Sequence, residues 1–171
     1  MDKDNNKSRK FKSRRPRREK PEFEQKLLDL ARVTRVVKGG RRFSFRATMV
    51  IGDRKGRVGA GVGKGTDVSI AIGKAVNDAK KNMISIDASQ GTIFHDVKAK
   101  LGSARVMLKP AREGRGIVAG GAVRAVIDLA GLKDIVSKSQ GSANKLNVAR
   151  ATVMALKGIK EPGKVLEKKE K

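Results

Sequence analysis

The sequence predicts an α+β chain of two small domains set between charged, basic tails, and three observations carry that prediction. Apolar periodicity switches from two to helical spacing in each half of the chain. Glycine, proline and asparagine stand where those switches need turns and caps. Charge dominates residues 1–24 and 159–171, whereas 25–158 carries the regular apolar patterning. A chain of 171 residues has room for one medium domain or two small ones. A seam near residues 82–91 divides the middle into units 25–88 and 89–158.

In the first unit, residues 28–37 are rich in apolar and β-branched types and read as a strand of imperfect alternation. Lys38-Gly39-Gly40-Arg41-Arg42 is a flexible basic loop. Then Phe43, Phe45, Ala47, Met49 and Ile51 share one face of a strand at period two, opposite Arg42, Ser44, Arg46 and Thr48. The first face belongs in a core; the second is expected to be wet and basic. Gly52-Asp53-Arg54-Lys55-Gly56 has the composition of a hairpin turn. In the strand that follows, Gly59, Gly61, Gly63 and Gly65 line one face. A face without side chains admits another backbone or a bulky partner at close range. Thr66 and Asp67 are N-cap types, and Val68, Ile72, Ala75, Val76, Ala79 and Met83 recur at helical spacing. The first unit is therefore β-β-β-α.

In the second unit, residues 92–100 and 104–109 read as strands joined around Gly102-Ser103, with Pro110 ending the second. A loop through Gly114 and Gly116 leads to an almost wholly apolar helix over 122–130, stopped by Gly131. Arg124 and Asp128 stand one turn apart on it, placed to pair. Residues 134–138 suggest a strand. Asn144 then caps a helix carrying Leu146, Ala149, Val153 and Leu156, with Gly158 beyond its end. The order is β-β-α-β-α, a mixed layer with crossover helices.

Charge narrows the function. The formal net charge is +24 and the isoelectric point is near 11.0. Self-repulsion on that scale calls for an acidic partner, with nucleic acid first and an anionic membrane surface second. The chain has no Cys, so a disulfide framework and thiolate metal sites are excluded. His95 is the only histidine, which leaves no His-rich metal cluster; no cofactor or metal is expected. With no Trp or Tyr and five Phe, binding by many base-stacking platforms is poorly served, and phosphate, sugar and shape contacts fit better. No apolar run approaches the ~20 residues of a spanning helix, and the charged N-terminus lacks the apolar stretch of a secretory signal. Residues 1–20 hold ten basic and three acidic residues and are expected to be disordered when free. They read either as a solubilising tail or as an arm that settles on RNA phosphates.

Two glycine-rich runs resemble nucleotide loops. Around Gly63-Lys64 a phosphate loop would need Gly where Val58 stands and Ser or Thr where Gly65 stands. A dinucleotide fingerprint fails at Lys64 and Thr66. The run Gly114, Gly116, Gly120 and Gly121 precedes a helix, whose N-terminal amides suit an anion. It reads as a loop needing glycine conformations, as a contact for RNA phosphate or, third, as a nucleotide enzyme's loop. His95-Asp96 is half a catalytic dyad, but no nucleophile accompanies it; a strand-edge histidine is the simpler reading, and no catalytic residue is assigned. The basic loop at Lys38 carries the most weight, because glycine lets the backbone follow a phosphate path while cations fan out.

The blocks Val36-Val37-Lys38-Gly39-Gly40-Arg41-Arg42-Phe43-Ser44-Phe45, Val50-Ile51-Gly52-Asp53 and Val58-Gly59-Ala60-Gly61-Val62-Gly63-Lys64 resemble the signature of the small-subunit ribosomal protein S-five family. So do Lys80-Lys81-Asn82-Met83, Gly114-Arg115-Gly116-Ile117-Val118-Ala119-Gly120-Gly121 running on to Val126, and Ser142-Ala143-Asn144 with Asn147 to Thr152. They occur in family order over about residues 25–158. The resemblance implies a double-stranded-RNA-binding-like first domain and a second domain of the α/β type shared with some small-molecule kinases. It implies a non-catalytic, cytoplasmic protein of the small subunit that binds small-subunit (16S) rRNA and supports assembly and decoding accuracy, with no membrane role and no homo-oligomer. Ribosomal proteins S-four and S-eight are the implied neighbours, near the channel through which mRNA enters.

On this reading Lys38, Arg41, Arg42, Arg46, Arg54, Lys55, Arg57 and Lys64 are the candidate phosphate and sugar contacts, with Phe43 beside them and Gly39 and Gly40 shaping the loop. Arg112, Gly116 and Arg124 are the candidate interface to protein S-four, and the second domain is that to S-eight. Two departures from the family pattern, Lys145 where proline is common and Ala149 where a branched residue is common, touch the last helix only.

Overall fold

The computed structural model describes residues 22–88 and 90–159. Expectations for the basic arm before Glu22 and the tail from residue 160 onward lie outside the described residues. The first sheet is antiparallel and follows chain order: β1 (Glu24–Val37), β2 (Gly40–Gly52), β3 (Arg57–Gly65), then, after helix α1 (Val68–Lys81), the short β4 (Ile84–Ser85). The second contains β5 (Val97–Leu101), β6 (Ala104–Pro110), β7 (Ile117–Val118) and β8 (Ile135–Gly141), in the order β5-β6-β8-β7. Helix α2 (Gly121–Ala130) crosses between the parallel pair β7 and β8, and α3 (Lys145–Lys157) follows. The predicted β-β-β-α and β-β-α-β-α orders are present, with two-residue strands β4 and β7 added.

The glycine face of β3 receives α1. Met49 pairs with Gly61 and Ala47 with Gly63, while α1 turns its buried stripe, Ala71, Ala75 and Ala79, to that side. A methyl added at Gly61 would stand 2.8 Å from Ala79 Cα and nearer still to Ala79 N and Ala75 O. Helix and strand thus approach backbone to backbone, which only glycine facing alanine allows. The residues Ile72 and Val76 are half-buried beside Ala47 and Met49 rather than central.

The other face of β2 departs from expectation. Arg46 is exposed, but Thr48 is 2% and Val50 0% exposed. The second domain covers Val50: Val50, Val58 and Ala60 share one core cluster with Val126, Leu129, Ala149 and Leu156. Main-chain bonds lock the seam. The amides of Arg54 and Gly56 donate to Leu129 O and Ala130 O, each at 3.0 Å. These are carbonyls at the C-terminus of α2 that have no partner inside their own helix.

Three local expectations are corrected. Strand β5 starts at Val97, not Thr92, because Thr92 Oγ1 donates to Asp134 O and Gly91 O accepts from Lys133 and Asp134, tying that segment to the α2–β8 connection. Arg124 does not pair with Asp128; its guanidinium donates to Ile117 O at 2.9 Å, while Asp128 faces Lys26 and Arg54 across the seam. Asp67 is the N-cap of α1 without a side-chain cap bond, whereas Asn144 Oδ1 does accept from Leu146 N on α3.

Candidate nucleic-acid interface

β3 ends at Gly65, opposite Phe45, but β1 and β2 continue past it. Residues 33–37 pair with 40–44 up to Val37 opposite Gly40. The result is a two-stranded ribbon that overshoots the sheet by about 17 Å, at ~3.3 Å per residue. Lys38 and Gly39 form its turn, and Gly40 takes a φ of +124° that disfavours any side chain. A two-stranded ribbon is marginal alone in water.

The pleat sorts its side chains. Arg35 stands opposite Arg42, Val33 opposite Ser44, and Arg46 lies between Ala31 and Lys64. One face therefore carries Arg35, Arg42, Arg46 and Lys64. The reverse face carries Phe43, 45% exposed, with the Arg32 guanidinium 3.6 Å from its ring centroid. Arg41 and Val36 lie beyond it on the same face. Among the described residues, no carboxylate comes within 4.0 Å of Arg35, Lys38, Arg41, Arg42, Arg46 or Lys64. Arg35 was not among the residues singled out from the sequence. Its signal was present in the strand over 28–37, but only the register sets it against Arg42.

Arg54, Lys55 and Arg57 sit elsewhere, in and just after the β2–β3 turn, at the far end of the 13-residue β2. That is roughly 40 Å along the strand from the ribbon tip. Arg57 Nε donates to Asp53 Oδ2 at 2.6 Å, and its guanidinium reaches Glu22 at 3.5 Å. Arg54 pairs with Glu24 at 2.9 Å and approaches Asp128 at 4.0 Å. Asp53 also accepts from the amides of Lys55 and Arg57. Burial pushes the Asp53 carboxyl up, but the Arg57 side chain and those two amides outweigh it and hold it below the usual carboxylate range. Asp53 in turn raises the Arg57 guanidinium. Lys55 is exposed with no carboxylate within 4.0 Å among the described residues. The sequence-derived set is thus brought together at Lys38, Arg41, Arg42, Arg46 and Lys64, with Gly39, Gly40 and Phe43. It is not joined there by the turn cations.

Arg112, Gly116 and Arg124 lie in the β6–β7 loop and the first turns of α2. Arg112 and Arg124 are exposed. Gly116 has φ +75° and donates its amide to Asp134 Oδ1 at 2.7 Å. That carboxylate therefore takes one of the loop's main-chain donors. The N-termini of α2 and α3 open on a cavity of about 580 Å³ between the domains, whose lysines are already engaged, Lys26 with Asp128 and Lys145 with Asp29. Asp96 pairs with Lys109 at 3.3 Å, and His95 Nδ1 is buried without a hydrogen-bond partner, so no dyad forms. Among the described residues no group of three or more His, Asp or Glu side chains is placed to hold a metal.

Two family models match the chain. One, described as the N-terminal domain of ribosomal protein S5, covers residues 23–87. The other, described as its C-terminal domain, covers 99–169. A small ribosomal subunit protein uS5 from Campylobacter jejuni is 52% identical over 139 residues, spanning 81% of this chain and 95% of the relative. One from Mycoplasmopsis agalactiae is 50% identical over 151 residues, 88% of this chain and 65% of the relative.

Proposed function

The chain belongs to the ribosomal protein S5 family, and on that premise we propose that the β1–β2 ribbon seats it on small-subunit rRNA. As a member of that family it is a structural constituent of the small subunit of the cytoplasmic ribosome, and not an enzyme. The observation that carries the ribbon assignment is a projecting hairpin whose cations near the tip have no carboxylate within 4.0 Å among the described residues. Phosphate contacts fix position and supply affinity through counterion release. Lys38, Arg41, Arg42, Arg46 and Lys64 fill that role, Gly39 and Gly40 shape the tip, and Phe43 under Arg32 offers a flat apolar edge to a ribose or base. Arg54 contributes through the seam, where it approaches Asp128, Arg57 through the turn it ties to Asp53 and Glu22, and Lys55 through its exposed charge.

The finer reading follows the same division: 25–88 as the rRNA-binding unit, 89–158 as the protein-facing unit, and 1–24 and 159–171 as charged extensions. Exposed Arg112 and Arg124, flanking Gly116, suit a contact with ribosomal protein S-four that influences decoding accuracy. The remaining surface of the second unit suits S-eight, near the channel through which mRNA enters. A nucleotide-dependent reaction at the Gly114–Gly121 run is disfavoured by Asp134, whose carboxylate takes the Gly116 amide.

Footprinting tests the ribbon. With Lys38→Gln, Arg41→Gln and Arg42→Gln combined, protection of one contiguous rRNA segment should be lost while the chain stays folded. Unchanged protection would remove the assignment.

A further inference from the structure

We propose that the uncovered face of the second sheet is a second phosphate-binding surface, holding an rRNA backbone segment distinct from the one at the ribbon. It rests on the reading of the chain as an rRNA-binding protein, but not on the ribbon itself. The face follows from alternation. Val97, Val106, Leu108 and Ile135 turn inward to the core they share with α2 and α3. Their neighbours Lys98, Lys100, Arg105 and Lys138 turn outward and are exposed. Register gathers them: Lys98 lies opposite Met107, and Met107 opposite Lys138; Lys100 lies opposite Arg105, and Arg105 opposite Gln140.

Neighbouring strands run ~4.8 Å apart and same-face residues recur every ~6.7 Å. Four cations therefore crowd an area of roughly 10 by 7 Å. Like charges directly opposed, as Lys100 and Arg105 are, destabilise a sheet unless something outside offsets them. Among the described residues no carboxylate lies within 4.0 Å of the four, and Asp96 at the margin is paired with Lys109. Two shallow depressions, of about 310 Å³ beside Lys98 and about 490 Å³ beside Lys100 and Ser103, offer seats where side-chain amide and hydroxyl groups join the cations.

The composition selects RNA over an acidic protein. Protein interfaces centre on apolar and aromatic anchors and are depleted in lysine at their core. Here cations surround Met107 at the centre, and the apolar Val136 and Val118 lie toward the β7 margin of the same face. A flat, basic, aromatic-free sheet face matches a phosphate track, whose affinity needs charge and no pocket.

The test uses the full chain with Lys98→Gln, Lys100→Gln, Arg105→Gln and Lys138→Gln, and transcribed small-subunit rRNA as the probe. The slope of log Kobs against log salt should become shallower by about 3, at ~0.7–0.9 per phosphate contact. The pair Lys100→Gln and Lys138→Gln should give about half that change and serves if the fourfold variant does not fold. A ribbon variant is measured in parallel. An unchanged slope in the sheet variant, with a reduced one in the ribbon variant, overturns this proposal and leaves the ribbon standing. The opposite pattern supports this proposal and removes the ribbon. A sheet variant with an unchanged RNA slope that no longer sediments with small subunits would mean an acidic protein partner, and also overturns it.

Discussion

Replacing Gly61 by alanine should separate α1 from the first sheet, and the cost can be worked from the contact. The added methyl would lie 2.8 Å from Ala79 Cα, with Ala79 N and Ala75 O closer still. Carbon atoms at ease sit about 3.5–4.0 Å apart. All three obstacles are main chain, so no rotamer change clears them. The helix must rise by about 1 Å, drawing Ala71, Ala75 and Ala79 away from β3. Overpacking of this kind costs about 1–3 kcal/mol. For a chain of this size each kcal/mol lowers the melting temperature by roughly 2–4 °C, so thermal unfolding followed by far-UV circular dichroism should shift down by roughly 2–12 °C. Gly39→Ala is the control. Nothing lies within 4 Å of the methyl it would add, and a change of less than ~0.5 kcal/mol is expected for such a surface site. If Gly61→Ala melts with the wild type, the backbone-to-backbone account of the glycine strand is wrong.

Two further predictions concern stability. Asp53→Ala removes the acceptor for two amides and the Arg57 guanidinium and should cost about 1–3 kcal/mol at neutral pH. Because the folded state holds the Asp53 carboxyl below its usual value, this contribution is complete above the unfolded pKa, about 4, and fades as pH falls through the lower folded one. Urea unfolding of the two proteins should therefore differ most at pH 7 and converge toward pH 2; a gap that widens in acid would contradict the assigned cause. Asn144→Ala removes the side-chain cap on Leu146 N and should cost about 1 kcal/mol, read from the same urea midpoints.

The elements that could be read from the chain were those written in local pattern. The period-two run through Phe43 to Ile51 and the glycines of β3 specify strands, and Asn144 marks its helix start. What escaped were relations between distant segments. The even face of β2 reads as wet because Arg42, Ser44 and Arg46 are polar, yet Thr48 and Val50 on the same face are buried, Val50 in the core shared with the second domain. Arg54 and Arg57 read as free cations in a turn, but Arg57 pairs with Asp53 of that turn and with Glu22, and Arg54 with Glu24 of β1 and Asp128 of α2. The same turn donates amides to the end of α2, which no turn composition announces. Strands β4 and β7 are two residues each, too short for periodicity to register. For the candidate site, the ribbon tip was legible because Lys38-Gly39-Gly40-Arg41-Arg42 is contiguous. Arg35 and the Lys98, Lys100, Arg105 and Lys138 face needed strand register to appear.

The most direct measurement is sedimentation of tagged chains with small ribosomal subunits in moderate salt, comparing wild type with the variant neutralised at Lys38, Arg41 and Arg42. The wild-type chain should travel with the subunit, and the variant, folded by circular dichroism, should remain largely at the top of the gradient. A folded variant that travels with the subunit as fully as the wild type would contradict the claim that unpaired ribbon cations anchor this protein to RNA.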